Sequence, residues 1–184
     1  MRGPLGRSLR VTHVHLENWR NFTLVDVDLQ RRVFLVGPNA SGKSNFLDVF
    51  RFLQNIVSVG GGFREAVRRR GGVSRLRCLA ARRYSDIVIR VSIGVDEGAS
   101  AWEYEIRFSQ DNQQRPVSKQ ERVSKEGEVI LKRPNEEDKE DPERLTQTYL
   151  EQVNVNRAFR EVANFFASIR YLHIVPQLVR EPDR

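Results

Sequence analysis

The chain has 184 residues, 39% hydrophobic and 30% charged, with a formal net charge of +7. This composition suits one globular domain with a sizeable core and excludes a disordered or collagen-like chain. No apolar run reaches the ~18–20 residues of a membrane span, residues 1–8 lack the apolar core of a signal peptide, and the single cysteine, Cys78, rules out an internal disulfide framework. A cytoplasmic protein without membrane contact is expected, with Cys78 a small core residue.

In chain order, residues 9–16 alternate polar and apolar side chains as a strand does, and residues 23–29 read as its hairpin partner. Between them lies the polar turn Glu17-Asn18-Trp19-Arg20-Asn21-Phe22. Arg31-Arg32 then lead into Val33-Phe34-Leu35-Val36, a short apolar run expected to be a buried strand.

The next eight residues, Gly37-Pro38-Asn39-Ala40-Ser41-Gly42-Lys43-Ser44, satisfy the phosphate-binding pattern G-x-x-x-x-G-K-[ST]. Its glycines let backbone N–H groups approach phosphate oxygens without an intervening Cβ. Lys43 brings a compact ammonium to the β/γ-phosphates, and Ser44 offers Mg²⁺ a hard oxygen ligand. Phe46, Leu47, Phe50, Leu53, Ile56 and Val57 follow at three- and four-residue steps, predicting an amphipathic helix over residues 42–57. Its N-terminus aims free N–H groups at the same phosphates.

Residues 58–83 are rich in glycine and arginine, with a short basic helix expected over residues 63–70. Arg64, Arg68, Arg69, Arg70, Arg75, Arg77, Arg82 and Arg83 face one acid, Glu65, so this segment equals the whole net charge of +7. Such a patch suits a nucleic acid backbone. A general preference for arginine, 26 against 5 lysines across the chain, accounts for it equally well.

Over residues 84–133 the period changes to two, predicting an antiparallel meander whose first strand is half-exposed. The acidic run over residues 134–142 reads as a solvated loop. Residues 143–166 are expected to be helical, and residues 169–175 a buried strand ending at Pro176-Gln177, within a closing segment of residues 143–184.

This order of parts resembles the N-terminal lobe of an ABC-type ATPase head, most closely the SMC/RecF/OLD-like branch and its relatives known as predicted AAA-type ATPases. The likeness rests on Gly37-Pro38-Asn39-Ala40-Ser41-Gly42-Lys43-Ser44-Asn45 and on the Asn18-Trp19-Arg20-Asn21-Phe22 turn, with Trp19 where Phe is commoner. It implies an α/β P-loop NTPase fold: a hairpin, P-loop strand and helix in residues 1–57, a mixed sheet, and the meander, all within one lobe. It further implies ATP and Mg²⁺ as cofactors, with Gly37, Asn39, Ala40, Ser41, Gly42, Lys43, Ser44 and Asn45 around the phosphates, Arg20 near the nucleotide, and Ser44 with the Q-loop Gln177 at the metal.

Family members continue into a signature segment and a Walker B strand with its catalytic acid. Residues 93–97 resemble a Walker B in composition, but the half-exposed pattern through Arg90 and Ser92 argues against that role. Residues 58–62 faintly resemble the signature but precede Gln177. The expectation is an ATP-binding half-site that hydrolyses negligibly by itself, completed by a second ATPase subunit or a C-terminal lobe, in DNA repair or phage defence by family habit. Two other readings compete. A P-loop kinase or GTPase lacks its guanine-reading Asn-Lys-x-Asp, and a nucleic-acid-binding module would use the residue 64–83 arginines beside a vestigial P-loop.

Overall fold

The alternating residues at the start of the chain form β1 (Arg10–Trp19) and β2 (Phe22–Asp28), joined through the tight turn at Arg20-Asn21. The structure is a computed structural model that describes residues 9–80, 86–95 and 100–172. After α1 (Lys43–Val57), α2 (Phe63–Arg68) and α3 (Val73–Leu76) come β3 (Ile87–Gly94), β4 (Ser100–Gln110), β5 (Pro116–Lys125) and β6 (Glu128–Arg133). The six described strands make one sheet in the order β2-β1-β3-β4-β5-β6, every neighbouring pair antiparallel, where a mixed sheet was expected. Helices α4 (Glu136–Glu140) and α5 (Arg160–Ser168) complete the described chain.

One face of the sheet carries the core. Helix α1 turns Phe46, Val49, Phe52, Leu53 and Ile56 onto it, as the three- and four-residue spacing predicts. Phe52 is the hub, stacking on Phe108 of β4 at 5.7 Å and meeting Trp19 at 5.4 Å, while Phe63 of α2 stands edge-on to Phe108 at 5.2 Å. Aromatic pairs at these separations add stabilisation beyond their buried area. Cys78 is buried, its N–H donating to the Asn18 carbonyl.

The opposite face carries a row of charges in register across all six strands: Asp26, His15, Arg90, Glu105, Arg122 and Lys132. At its β2 end both imidazoles sit among carboxylates. His15 meets Asp26 at 2.7 Å and Glu17 at 3.0 Å, and His13 meets Asp28 at 2.7 Å and Asp26 at 3.1 Å. Burial opposes charge on His15, and Arg90 adds to that, but the hydrogen bonds to Asp26 and Glu17 prevail and raise its pKa above 6.5. A raised histidine pKa adds stability that is fully present below pH 6.5 and is lost as pH rises through the raised value. Thermal midpoints are therefore expected to fall as pH is taken upward from 6.5, and His15→Gln is expected to flatten that profile.

Four sequence expectations need correction. First, residues 33–36 join no strand, and Phe34 and Val36 are 86% and 92% exposed. A short apolar run becomes a strand only by pairing with a neighbour, and none of the six strands pairs with residues 33–36. Second, β3 is not half-exposed. It is buried along nearly its whole length, because the long side chains of the charged row cover its outer face; Arg90 alternates outward onto the buried Glu105 at 2.6 Å. Third, the acidic run is not merely a solvated loop. Asn135 and Asp138 form a capping box that starts α4, and Asp138 turns inward. Fourth, residues 143–166 are not one helix but two 3-10 turns, Pro142–Thr146 and Asn156–Phe159, before α5. The buried Glu121 carboxylate takes the N–H groups of Tyr149 (2.7 Å) and Leu150 (3.0 Å) that a continuous helix would use internally. Residues 169–172 are not strand, and residues 173–175 lie outside the described residues.

Candidate nucleotide site

The α1 N-terminus has no side-chain cap and no acid in its first turn, so its leading N–H groups stay available. Residues Asn39 to Asn45 wrap that end around a cavity of about 210 Å³. Two left-handed residues produce the wrap, Ala40 (φ 65°) and Gly42 (φ 101°). Lys43 Nζ reaches back to donate to the carbonyls of Gly37 and Pro38, both at 2.7 Å, and lies 3.5 Å from Ser41 Oγ. Ser44 is exposed in the first helical turn.

The β1–β2 turn buttresses this loop. Trp19 Nε1 donates to the Asn45 carbonyl at 2.8 Å, Asn45 Nδ2 donates to Asn21 Oδ1 at 2.8 Å, and Asn21 Nδ2 reaches the Ser41 carbonyl at 3.5 Å. A Cβ at Gly42 would lie 2.5 Å from Asn21 Nδ2. Sequence reading placed Arg20 near the nucleotide and passed over Asn21. In the structure Asn21 is the turn residue that touches the loop, while Arg20 pairs with Asp48 of α1 at 3.2 Å. The only available signal for Asn21 was its place in a hairpin turn, which does not reveal which loop lies beside it.

Asp48 has a second partner. Arg70, nearly buried, grips it with Nε at 2.9 Å and Nη2 at 2.8 Å, and also bonds the Ala66 carbonyl and Asn55. The bidentate fork ties α1 to the segment after α2. This changes the expected basic patch. Arg70 is a structural clamp, and Arg68 and Arg69 both pair with Glu65, holding its carboxyl at about 2. Arg64, Arg75 and Arg77 are exposed, and Arg82 and Arg83 lie outside the described residues, as do Gln177 and the Asp96-Glu97 pair. Of the six described arginines, Arg68, Arg69 and Arg70 are therefore engaged with carboxylates.

The cradle fits a triphosphate with its Mg²⁺: uncapped N–H groups, a glycine where a Cβ would collide, an ammonium, and a hydroxyl on the first turn. Among the described residues there is no cluster of three or more His, Cys, Asp or Glu able to hold a metal unaided, and no helix is long and apolar enough to cross a membrane.

A family model described as "AAA domain, putative AbiEii toxin, Type IV TA system" matches residues 32–183. Among solved structures, the chain is similar to the recombination mediator protein RecF with ATP in the RecFOR pathway, at 20% identity and a TM-score of 0.39. That similarity covers 67% of this chain and 29% of the RecF chain. No curated protein sequence matches.

Proposed function

Because the chain belongs to this family of AAA domains, with the P-loop NTPase fold of an ABC-like ATPase head, we propose that it forms the ATP-binding half of such a head. The observation that carries this reading is the uncapped α1 N-terminus, wrapped by Asn39 to Asn45 with Lys43 across it. In this reading Gly37, Asn39, Ala40, Ser41, Gly42 and Asn45 hold the phosphates by backbone N–H groups, Lys43 neutralises β/γ charge, and Ser44 ligates Mg²⁺ with Gln177. Held there, Mg²⁺ would neutralise part of the phosphate charge. Asn21, Asn45 and Trp19 keep the loop in shape before ligand arrives, so less ordering accompanies binding.

Calorimetric titration with MgATP tests this. Wild-type chain is expected to bind, and Lys43→Ala to bind at least about tenfold more weakly, since a charge-assisted contact contributes about 1.5–3 kcal/mol. Equal affinity in both proteins would refute the assignment.

Two observations support a site completed from elsewhere. Asp48, the carboxylate on α1 closest to the loop in sequence, is held by Arg70 and Arg20 rather than available to orient water. Residues 33–36, directly before the P-loop, expose an apolar run of the kind that fills an interior sheet. The reading is that this edge is covered by a C-terminal lobe or a second ATPase subunit, which also brings the catalytic acid. Purified chain is expected to show negligible ATP turnover; steady turnover abolished by Lys43→Ala would overturn the half-site reading.

A further inference from the structure

A second, larger cavity among the described residues shares no lining residue with the P-loop cradle. It encloses about 730 Å³, against about 210 Å³ at the cradle. Its walls come from three separated stretches: Arg64, Glu65 and Arg68 on α2, Arg115 directly before β5, and Glu151 beyond the first 3-10 turn. Cavities of roughly 300–1,000 Å³ accommodate drug- or cofactor-sized molecules.

The donors facing this space are cationic and only partly used. Among the described residues Arg64 has no carboxylate partner. Arg68 gives Nε and Nη2 to Glu65 and keeps Nη1. Arg115 gives Nε to Asp111 and Nη1 to Glu143 and keeps Nη2. The two lining acids offset this little. Glu65 is saturated by Arg68 and Arg69, and Glu151 already accepts from the Phe63 N–H at 2.6 Å and the Thr148 hydroxyl at 3.0 Å. Burial also pushes the Glu151 carboxyl upward, toward its neutral form.

We propose that this cavity binds a small polyphosphate-bearing molecule of nucleotide size, through Arg64 and the spare guanidinium edges of Arg68 and Arg115, as a second anion site independent of the P-loop. Guanidinium forks suit phosphate oxygens. Their convergence from separate elements in a concave space favours a compact polyanion over an extended nucleic acid backbone.

The test is calorimetric titration of the full chain with inorganic pyrophosphate in a Lys43→Ala background, which removes the P-loop lysine. Binding is expected to persist there and to weaken about tenfold on adding Arg64→Ala, the loss of one charge-assisted contact. Arg64 is exposed, so unchanged thermal unfolding is expected to accompany that loss. The proposal is overturned if Lys43→Ala alone removes all pyrophosphate binding, if Arg64→Ala binds as tightly as its parent, or if a single-stranded oligonucleotide binds these arginines more tightly than pyrophosphate does.

Discussion

Replacing Arg133 by methionine is expected to destabilise the fold by about 3–5 kcal/mol, read as a lower urea midpoint. Arg133 is completely buried and bonds the two carboxylate oxygens of Asp138 at 2.9 and 2.6 Å and Glu121 at 3.1 Å. It also donates to the Gln147 and Arg144 carbonyls and lies 3.8 Å from the centre of the Tyr149 ring. Methionine fills much of the same volume but leaves the buried Glu121 carboxylate without a countercharge and Asp138 with only Arg144 at 3.7 Å. Burial already pushes Glu121 up, with the Tyr149 and Leu150 N–H groups and Arg133 opposing it. The network fastens β5, β6, α4 and the turns over residues 142–150 together, so its loss reaches the whole far edge of the sheet. Adding Glu121→Gln and Asp138→Asn to Arg133→Met is expected to recover part of the loss, since the cost lies in unpaired charge. A single variant as stable as wild type would show that the pairing contributes nothing.

Gly42→Ala is expected to abolish tight MgATP binding, weakening it at least about tenfold, while destabilising the chain by about 1–2 kcal/mol from the left-handed backbone alone. At φ 101° an L-residue is strained, and its Cβ would sit 2.5 Å from Asn21 Nδ2 and 2.8 Å from Phe22 Cζ. Relief displaces the Asn21 side chain or the loop itself, and either movement breaks the Asn21–Asn45 contact that shapes the cradle. Gly60→Ala is the matched control. Its φ is 69°, but nothing lies within 4 Å of the added Cβ, so it is expected to affect stability and leave nucleotide affinity unchanged. Paired titrations and melts of the two variants separate backbone strain from damage to the cradle. Equal affinity in Gly42→Ala and wild type would refute the buttressing role of the turn.

Much of the fold was legible because its signals are local. The hairpin, the α1 span and the meander follow from side-chain period, and the structure places α1 at Lys43–Val57 and β3 to β6 between Ile87 and Arg133, inside the expected span of residues 84–133. The P-loop was legible because its requirements are written in consecutive residues. Two failures trace to buried partners that the local period does not reveal. Glu121, about thirty residues upstream, captures the N–H groups of Tyr149 and Leu150 and breaks an expected helix. Asp138 looked like one more surface acid until Arg133 drew it inside.

By itself, then, the sequence determined a P-loop on an amphipathic helix, framed by a hairpin and an antiparallel sheet, because period and motif are properties of neighbouring residues. Only the tertiary structure decided how the arginines divide. Arg70 goes inward to Asp48, Arg68 and Arg69 go to Glu65, and Arg64 with Arg115 is left facing a cavity. Composition counts these charges alike, whereas pairing and burial are set by what the fold brings within about 3 Å of each guanidinium.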